Sequence, residues 1–389
     1  MTVSQAEIRA LRHELNQAGV FERRATQTTL KLLFFLATAG TLIALSTMAP
    51  LWGVALLLPP TAFFLAAAAM VGHEGGHRSF STKTAANETL YHLLFPLMGG
   101  LGALQWKDKH NVRHHGHPNV VDVDDDMELW PLAHNREAYL KSGRARRFVQ
   151  RHAQHWIWWP LTMLFSWSIK VDSIGFLVRS ARVRRRPGEA RLPAKEKNGI
   201  TRSWLLDLTM QLAHYALWLV VPSLVWGFWP VFAYYLAIFA LVSLMLALVF
   251  APGHMGLPIR HDHPDGWLLQ LETTRNLALP RWLSFFFVGL DHQIEHHLFP
   301  KIPHANLPRA AAIVRPWVEA RGLPYNRLPY LTALKVVTRY VRDAWRYDAV
   351  PVGGPAFAEP PVSQRVDPAK KTPIEVIPAL ITNAPARSA

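Results

Sequence analysis

Histidines are the residues of this chain best suited to chemistry, and they fall into three clusters. His73 and His77 lie in HEGGH, His110, His114 and His115 in HNVRHH, and His292, His296 and His297 in HQIEHH. Neutral imidazole is the commonest side-chain metal ligand, and such close spacing can aim several ring nitrogens at one point. On a helix, His73 and His77 share a face one turn apart, as do His110 and His114. The adjacent His115 points roughly 100° further round. An adjacent pair can therefore serve two different metals, and the same holds for His296 and His297. Three clusters predict a polynuclear metal site.

The elements that must position them are membrane helices. No charged side chain occurs between Lys31 and Glu74, or between Asp207 and Arg260. A spanning helix needs about 20 apolar residues, so each run has room for two. The expected spans are residues 32–49 and 52–71, turning at Pro50, and 204–226 and 231–251, turning near Gly227 to Pro230. Pro59-Pro60 predicts a kink or local break in the second span. Arg23, Arg24, Lys31, the Arg144–Arg147 region and the Arg182–Arg186 run all fall on the other side from the uncharged turns, the side that the positive-inside rule assigns to the cytoplasm. The expected fold is an all-α integral membrane protein: four transmembrane helices in two hairpins, with both termini and a cytoplasmic helical cap that carries the histidines.

Residues 1–30 read as a cytoplasmic or interfacial arm, 31–345 as the body, and 346–389 as a Pro-rich, disordered tail. The stretch Leu90–Trp106, broken by Gly99, Gly100 and Gly102, predicts a re-entrant or interface-lying element. Helices are expected over Leu307–Ala320 and Tyr330–Trp345. The first apolar run reads as an anchor, not a removable signal peptide. A net charge of +15 beside the spans favours anionic headgroups and acidic soluble partners over nucleic acid. The absence of cysteine excludes disulfides and thiolate-held iron–sulfur centres, so any redox chemistry here draws electrons from elsewhere.

HEGGH also fits the HExxH signature of zinc proteases, in which Glu74 would be the base. That reading leaves His110, His114, His115, His296 and His297 unexplained. In order and spacing, HEGGH, Trp106 ahead of HNVRHHGHPN, and QIEHHLFPKIPH resemble the membrane fatty acid desaturase family over about residues 30–345. The third box is similar to those of front-end and acyl-lipid members.

The resemblance implies two non-haem irons held by His73, His77, His110, His114, His115, His296 and His297. His254 in APGHMG fits a further single histidine of the family. Either His292 or Gln293 fills the first position of the third box. It also implies that Asn119 and Trp106 support the ligands. Glu74 and Glu295 read as groups that orient imidazole N–H donors. Asp122, Asp124, Asp125 and Asp126 resemble the family's acidic stretch and read equally as solvated residues paired with arginines. His214, inside a span, reads as an interhelical hydrogen-bonding residue. His13, His92, His117, His134, His152, His155, His261, His263 and His304 are not needed by the pattern.

The activity implied is insertion of a cis double bond into a membrane lipid or acyl thioester, with O2 as co-substrate. Removing hydrogen from an unactivated methylene is beyond any side-chain acid or base and needs a metal oxidant. Reducing O2 to two waters takes two electrons from the C–H bonds and two from a donor. With no cysteine cluster and no HPGG haem motif, the expected donor is a separate ferredoxin-like or cytochrome-b5-like protein with its reductase, docking at Arg182, Arg184, Arg185 and Arg186. A diiron hydroxylase or carotenoid ketolase is the alternative within the same chemistry. An intramembrane zinc protease, or a metal-binding membrane protein without catalysis, stands outside it.

Overall fold

The structure, a computed structural model, describes residues 3–185, 194–260 and 266–346, with side chains over 3–181, 202–260 and 266–346. The tail from residue 347, His261, His263 and the side chains of the Arg182–Arg186 run lie outside the described residues.

Four helices are long and apolar enough to cross a membrane: Ala25–Ser46, Leu51–Gly76, Arg202–Trp226 and Phe228–His254. They form the two expected hairpins. The second runs through Pro59 and Pro60 without a break, which membrane helices tolerate where local adjustment and packing satisfy the freed carbonyls. In the third, Pro222 cannot donate to the carbonyl four residues back, and the ladder shifts to π geometry over Ala216–Val220. Gly227 alone (φ +80°) joins the third helix to the fourth, in a conformation that favours glycine.

The second and fourth helices outrun their expected ends at Val71 and Ala251. That extension matters, because His73 and His254 ride on their last turns. These two are also the inner pair. Ala62, Leu65, Ala66 and Met70 pack in one core with Ile238, Phe239, Val242 and Leu246.

The Leu90–Trp106 stretch folds inward against the spans. Thr84–His92 is α-helical, Leu93–Gly99 is a π-helix, and Ala103–Trp106 is a short α-turn. Two glycines of the second span admit it: a Cβ on Gly72 would lie 2.6 Å from that of Leu94, and one on Gly75 would lie 2.8 Å from the Asn87 carbonyl oxygen. The third span supplies a carboxylate from its side. Asp207, fully buried, accepts from the backbone N–H groups of Ala103 and Leu104, both at 3.0 Å.

One further pair of helices has the apolar length of a span, a feature not predicted from the sequence. Gln154–Thr162 and Phe165–Ala181 are apolar enough to span if taken together, bent by 62°. Ser166 ties the second piece to the fourth span through Ser243 (2.6 Å).

Around the histidine-bearing ends lies a helical cap. Its N-terminal helix, Gln5–Gln17, opens with a reciprocal Ser4–Glu7 capping box. Leu11 and Leu15 on that helix bury against Val314 and Val318 of Leu307–Glu319. Tyr330–Asp343 follows. The expected helices are thus present, and the described strands are two parallel three-residue segments, Asn276–Ala278 and Arg327–Pro329.

Replacing Asp207 with alanine would leave two buried N–H donors without an acceptor. With hydrogen bonds to charged groups worth roughly 1.5–3 kcal/mol each, Asp207→Ala should lower unfolding free energy by about 3–6 kcal/mol. Asp207→Asn, which keeps one acceptor, should lower it by less. Denaturant unfolding in detergent checks both.

Candidate metal centre

Eight buried histidines converge where the second and fourth spans enter the cap. The ligating nitrogens of His73, His77, His110, His115 and His296 lie within 4.8 Å of one another, and so do those of His114, His254 and His297. The groups touch: the His115 and His297 rings stack with centroids 4.2 Å apart. Adjacent histidines divide between them, His114 from His115 and His296 from His297, as two residues 100° apart on a helix should.

The middle cluster departs from simple α-helical spacing. Lys107–His114 is a π-helix, and the His115 N–H donates to the His110 carbonyl, five residues back, at 2.9 Å. This wider turn brings His110 and His115 into the same group, while His114 turns to His254. Periodicity at 3.6 residues per turn pairs His110 with His114 and cannot reveal that register.

The ring nitrogens suit a metal. Both nitrogens of His115 and of His296 are buried without any hydrogen-bond partner. His73 Nε2 faces His110 Nε2 at 2.7 Å and His77 Nε2 at 3.1 Å. Nitrogen lone pairs aimed at one another and left unpaired are costly unless a cation lies among them.

Burial, with neighbouring imidazoles, depresses the pKa of His110, His115, His296 and His297 well below the ordinary histidine value. Burial, then the nearby His114, depresses that of His77 to about 3. These rings are neutral near pH 7, the form that ligates.

A surrounding layer fixes each ring of the smaller group. His114 Nδ1 donates to Asp124 (3.0 Å), His254 Nδ1 to the Thr273 carbonyl (3.2 Å), and His297 Nδ1 to the Gln270 side-chain carbonyl (2.9 Å). Each bond puts the proton on Nδ1 and leaves Nε2 free for the metal. Although burial opposes ionisation on both sides, the Asp124 charge and hydrogen bond raise the His114 pKa, and His114 lowers that of Asp124 to about 2. Asn119 links the layers, its backbone N–H on Asp124 (2.9 Å) and its amide on the His254 carbonyl (3.2 Å). Trp106 stacks on His110 at 5.0 Å.

Of the other acidic residues, Asp126 also lies 3.6 Å from His114 Nδ1 and groups with His110 and His114. Asp125 pairs with Arg113 and Asp126 with Lys109 (2.6 Å). Glu295 is clamped by Asn276 and Tyr325, both at 2.8 Å, and braces the third-box helix instead of orienting an imidazole N–H. Glu74 accepts from Thr28 (3.2 Å) and from the His304 backbone (3.3 Å).

His304, which the sequence pattern does not need, is buried with its ring stacked on His73, Nε2 lying 3.5 Å from His73 Nδ1. Its place after LFPKIP, in the same passage as the third box, was the available signal. Gln270 carried none.

The third box's two claimants differ. The His292 side chain is 22% exposed, lies 3.7 and 3.9 Å from the Asp291 and Glu295 carboxylates, and joins neither histidine group. Gln293 is buried, its amide nitrogen has no partner, and its Cγ would lie 2.8 Å from a Cβ on Gly253, the residue before His254. His214 hydrogen-bonds between helices, as expected, to Tyr235 at 2.8 Å.

Fold and site together define an integral membrane protein whose clustered imidazoles have the arrangement of a metal site. Residues 46–329 match the sequence profile described as "Fatty acid desaturase". The chain belongs to the fatty acid desaturase family, and as such is an oxidoreductase. Human fatty acid desaturase 3 is 25% identical over 359 residues, covering 87% of this chain and 73% of the relative. The acyl-lipid (9-3)-desaturase of Borago officinalis is 24% identical, covering 87% and 74%. Delta(8)-fatty-acid desaturase 2 of Arabidopsis thaliana is 23% identical with the same coverage. Family membership and the histidines that HExxH leaves over both turn HEGGH away from the protease reading.

Outer-layer partners commonly affect metal affinity by 10–100-fold, so Gln270→Ala and His304→Ala should each weaken metal binding by about that much. Competitive chelator titration measures it.

Acid sensitivity should follow from the depressed imidazoles. The unfolded chain protonates them below about 6.5, whereas in the folded protein His77 and His304 resist until about 3. The unfolded state thus binds more protons across that window. The metal-free protein should lose stability as pH falls from about 6.5 toward 3, and His77→Ala should flatten the slope of melting temperature against pH.

Proposed function

We propose that this protein is an O2-dependent fatty acyl desaturase that inserts a cis double bond into a lipid acyl chain at a histidine-held diiron centre. The observation that carries this reading is the convergence of eight histidines into groups of five and three, with unpaired nitrogens facing inward. We assign His73, His77, His110, His115 and His296 to one iron and His114, His254 and His297 to the other. Gln293, more deeply buried than His292 and beside Gly253, is favoured as the third box's additional ligand through its side-chain oxygen, direct or through water.

Bound there, the two irons would supply the O2 chemistry that removes hydrogen from two adjacent methylenes. The chain's own part is to hold the rings, exclude water and seat the substrate. A narrow apolar cleft between the spans, with a cavity volume of about 40 Å³, is lined by Leu65, Met70, Leu94, Phe95, Phe239 and Phe250, and it reaches His73. A methylene chain suits such a slot, and its depth and bend would select the bond.

The remaining two electrons require a separate donor of the ferredoxin or cytochrome b5 kind with its reductase. The distribution of arginine and lysine supports placing both termini and the metal centre on the cytoplasmic side.

Expression in a host with a compatible donor, followed by gas chromatography of its fatty acids, tests the reading. A new cis double bond is expected. An oxygenated product would favour a hydroxylase, and an unchanged profile with iron loaded and donor supplied would overturn the proposal. Gln293→Ala should reduce product formation more than about tenfold, with His292→Ala causing a smaller loss.

A further inference from the structure

The cavity has a far wall that the metal chemistry does not use. Near the metal centre it is bounded by Phe250, whose ring lies 6.3 Å from that of His73, and by Trp106. At the other end stand Phe239, Gly99 and Trp218. Phe239 and Phe250 are eleven residues apart on one helix, so the cavity extends roughly 16 Å along the fourth span.

Behind that wall lies a buried lysine, surprising in a membrane protein's interior. Lys170 Nζ donates to the Gly99 carbonyl at 2.6 Å, contacts His214 Nε2 at 3.1 Å and Tyr235 Oη at 3.3 Å, and lies 3.9 Å from the centre of the Phe239 ring. His214 extends the lattice to the Leu97 carbonyl at 3.1 Å. Among the described residues no carboxylate pairs with Lys170. An ammonium has three donors, and these three acceptors with one aromatic face satisfy it without a ligand. Gly100 (φ +68°) leaves no slack: a Cβ there would lie 2.6 Å from the His214 ring and 2.7 Å from Lys170 Nζ.

We propose that Lys170 is a positioning residue that fixes Phe239 and Gly99 as the end wall of the acyl cavity, and thereby sets the longest acyl tail the protein admits. One side chain pins wall residues from two elements, the π-helical stretch and the fourth span, so its loss frees both. The inference rests on the acyl-chain reading of the site.

The test measures binding, which does not require turnover. The metal-loaded full chain is titrated with phospholipids carrying saturated acyl chains of graded length, and native mass spectrometry records which are retained. The wild type should show a sharp length cutoff. Lys170→Ala should move it to longer chains, with at least about a tenfold gain for the first length that the wild type rejects, and Lys170→Arg should preserve it.

A structural lesion alone would weaken all lengths alike, and that uniform loss would overturn the proposal, as would an unshifted cutoff in a folded Lys170→Ala protein. A wild type that retains every length equally would overturn it too. If Lys170→Ala fails to fold, Phe239→Ala removes the wall ring itself, and an unchanged cutoff there is equally contrary. Lack of desaturation with an intact, Lys170-dependent cutoff would count against the proposed function alone.

Discussion

Everything in this protein depends on holding eight imidazoles together out of water. Their ring nitrogens are deprived of solvent by burial, and both nitrogens of His115 and of His296 have no hydrogen-bond partner. Such an arrangement is expensive in a metal-free core and favourable around cations, so the surrounding structure must resist its collapse. Helix ends, outer hydrogen bonds and membrane packing all serve that resistance.

Two devices bring the rings into place. The second and fourth spans continue past the apolar core, so His73 and His254 project from rigid helices. The π-helix over Lys107–His114 then re-aims three histidines that lie within six residues. Each ring of the smaller group is locked from outside by a different chemistry: a carboxylate, a backbone carbonyl and a side-chain amide. Metal site and membrane fold are therefore one construction.

Much of this was legible in the sequence. Uncharged runs marked both hairpins, and histidine spacing marked three of the contributing segments, because ligand type and hydrophobic length are local properties. His254 required the family pattern, since one histidine at a span end carries no spacing signal. The division of His110, His114 and His115 was hidden, because a π-turn leaves no mark in a 3.6-residue reading. His304, Gln270 and Lys170 were hidden for another reason: their partners lie 231, 27 and 44 or more residues away, at His73, His297 and His214. The bent Gln154–Ala181 pair escaped notice because arginines and tryptophans around it obscure its apolar length.

Metal content of the purified protein is the most direct test of the central claim. After anaerobic reconstitution with ferrous iron and removal of loosely bound metal, two irons per chain are expected. A single tightly bound metal, zinc in preference to iron, or no retained metal would contradict it.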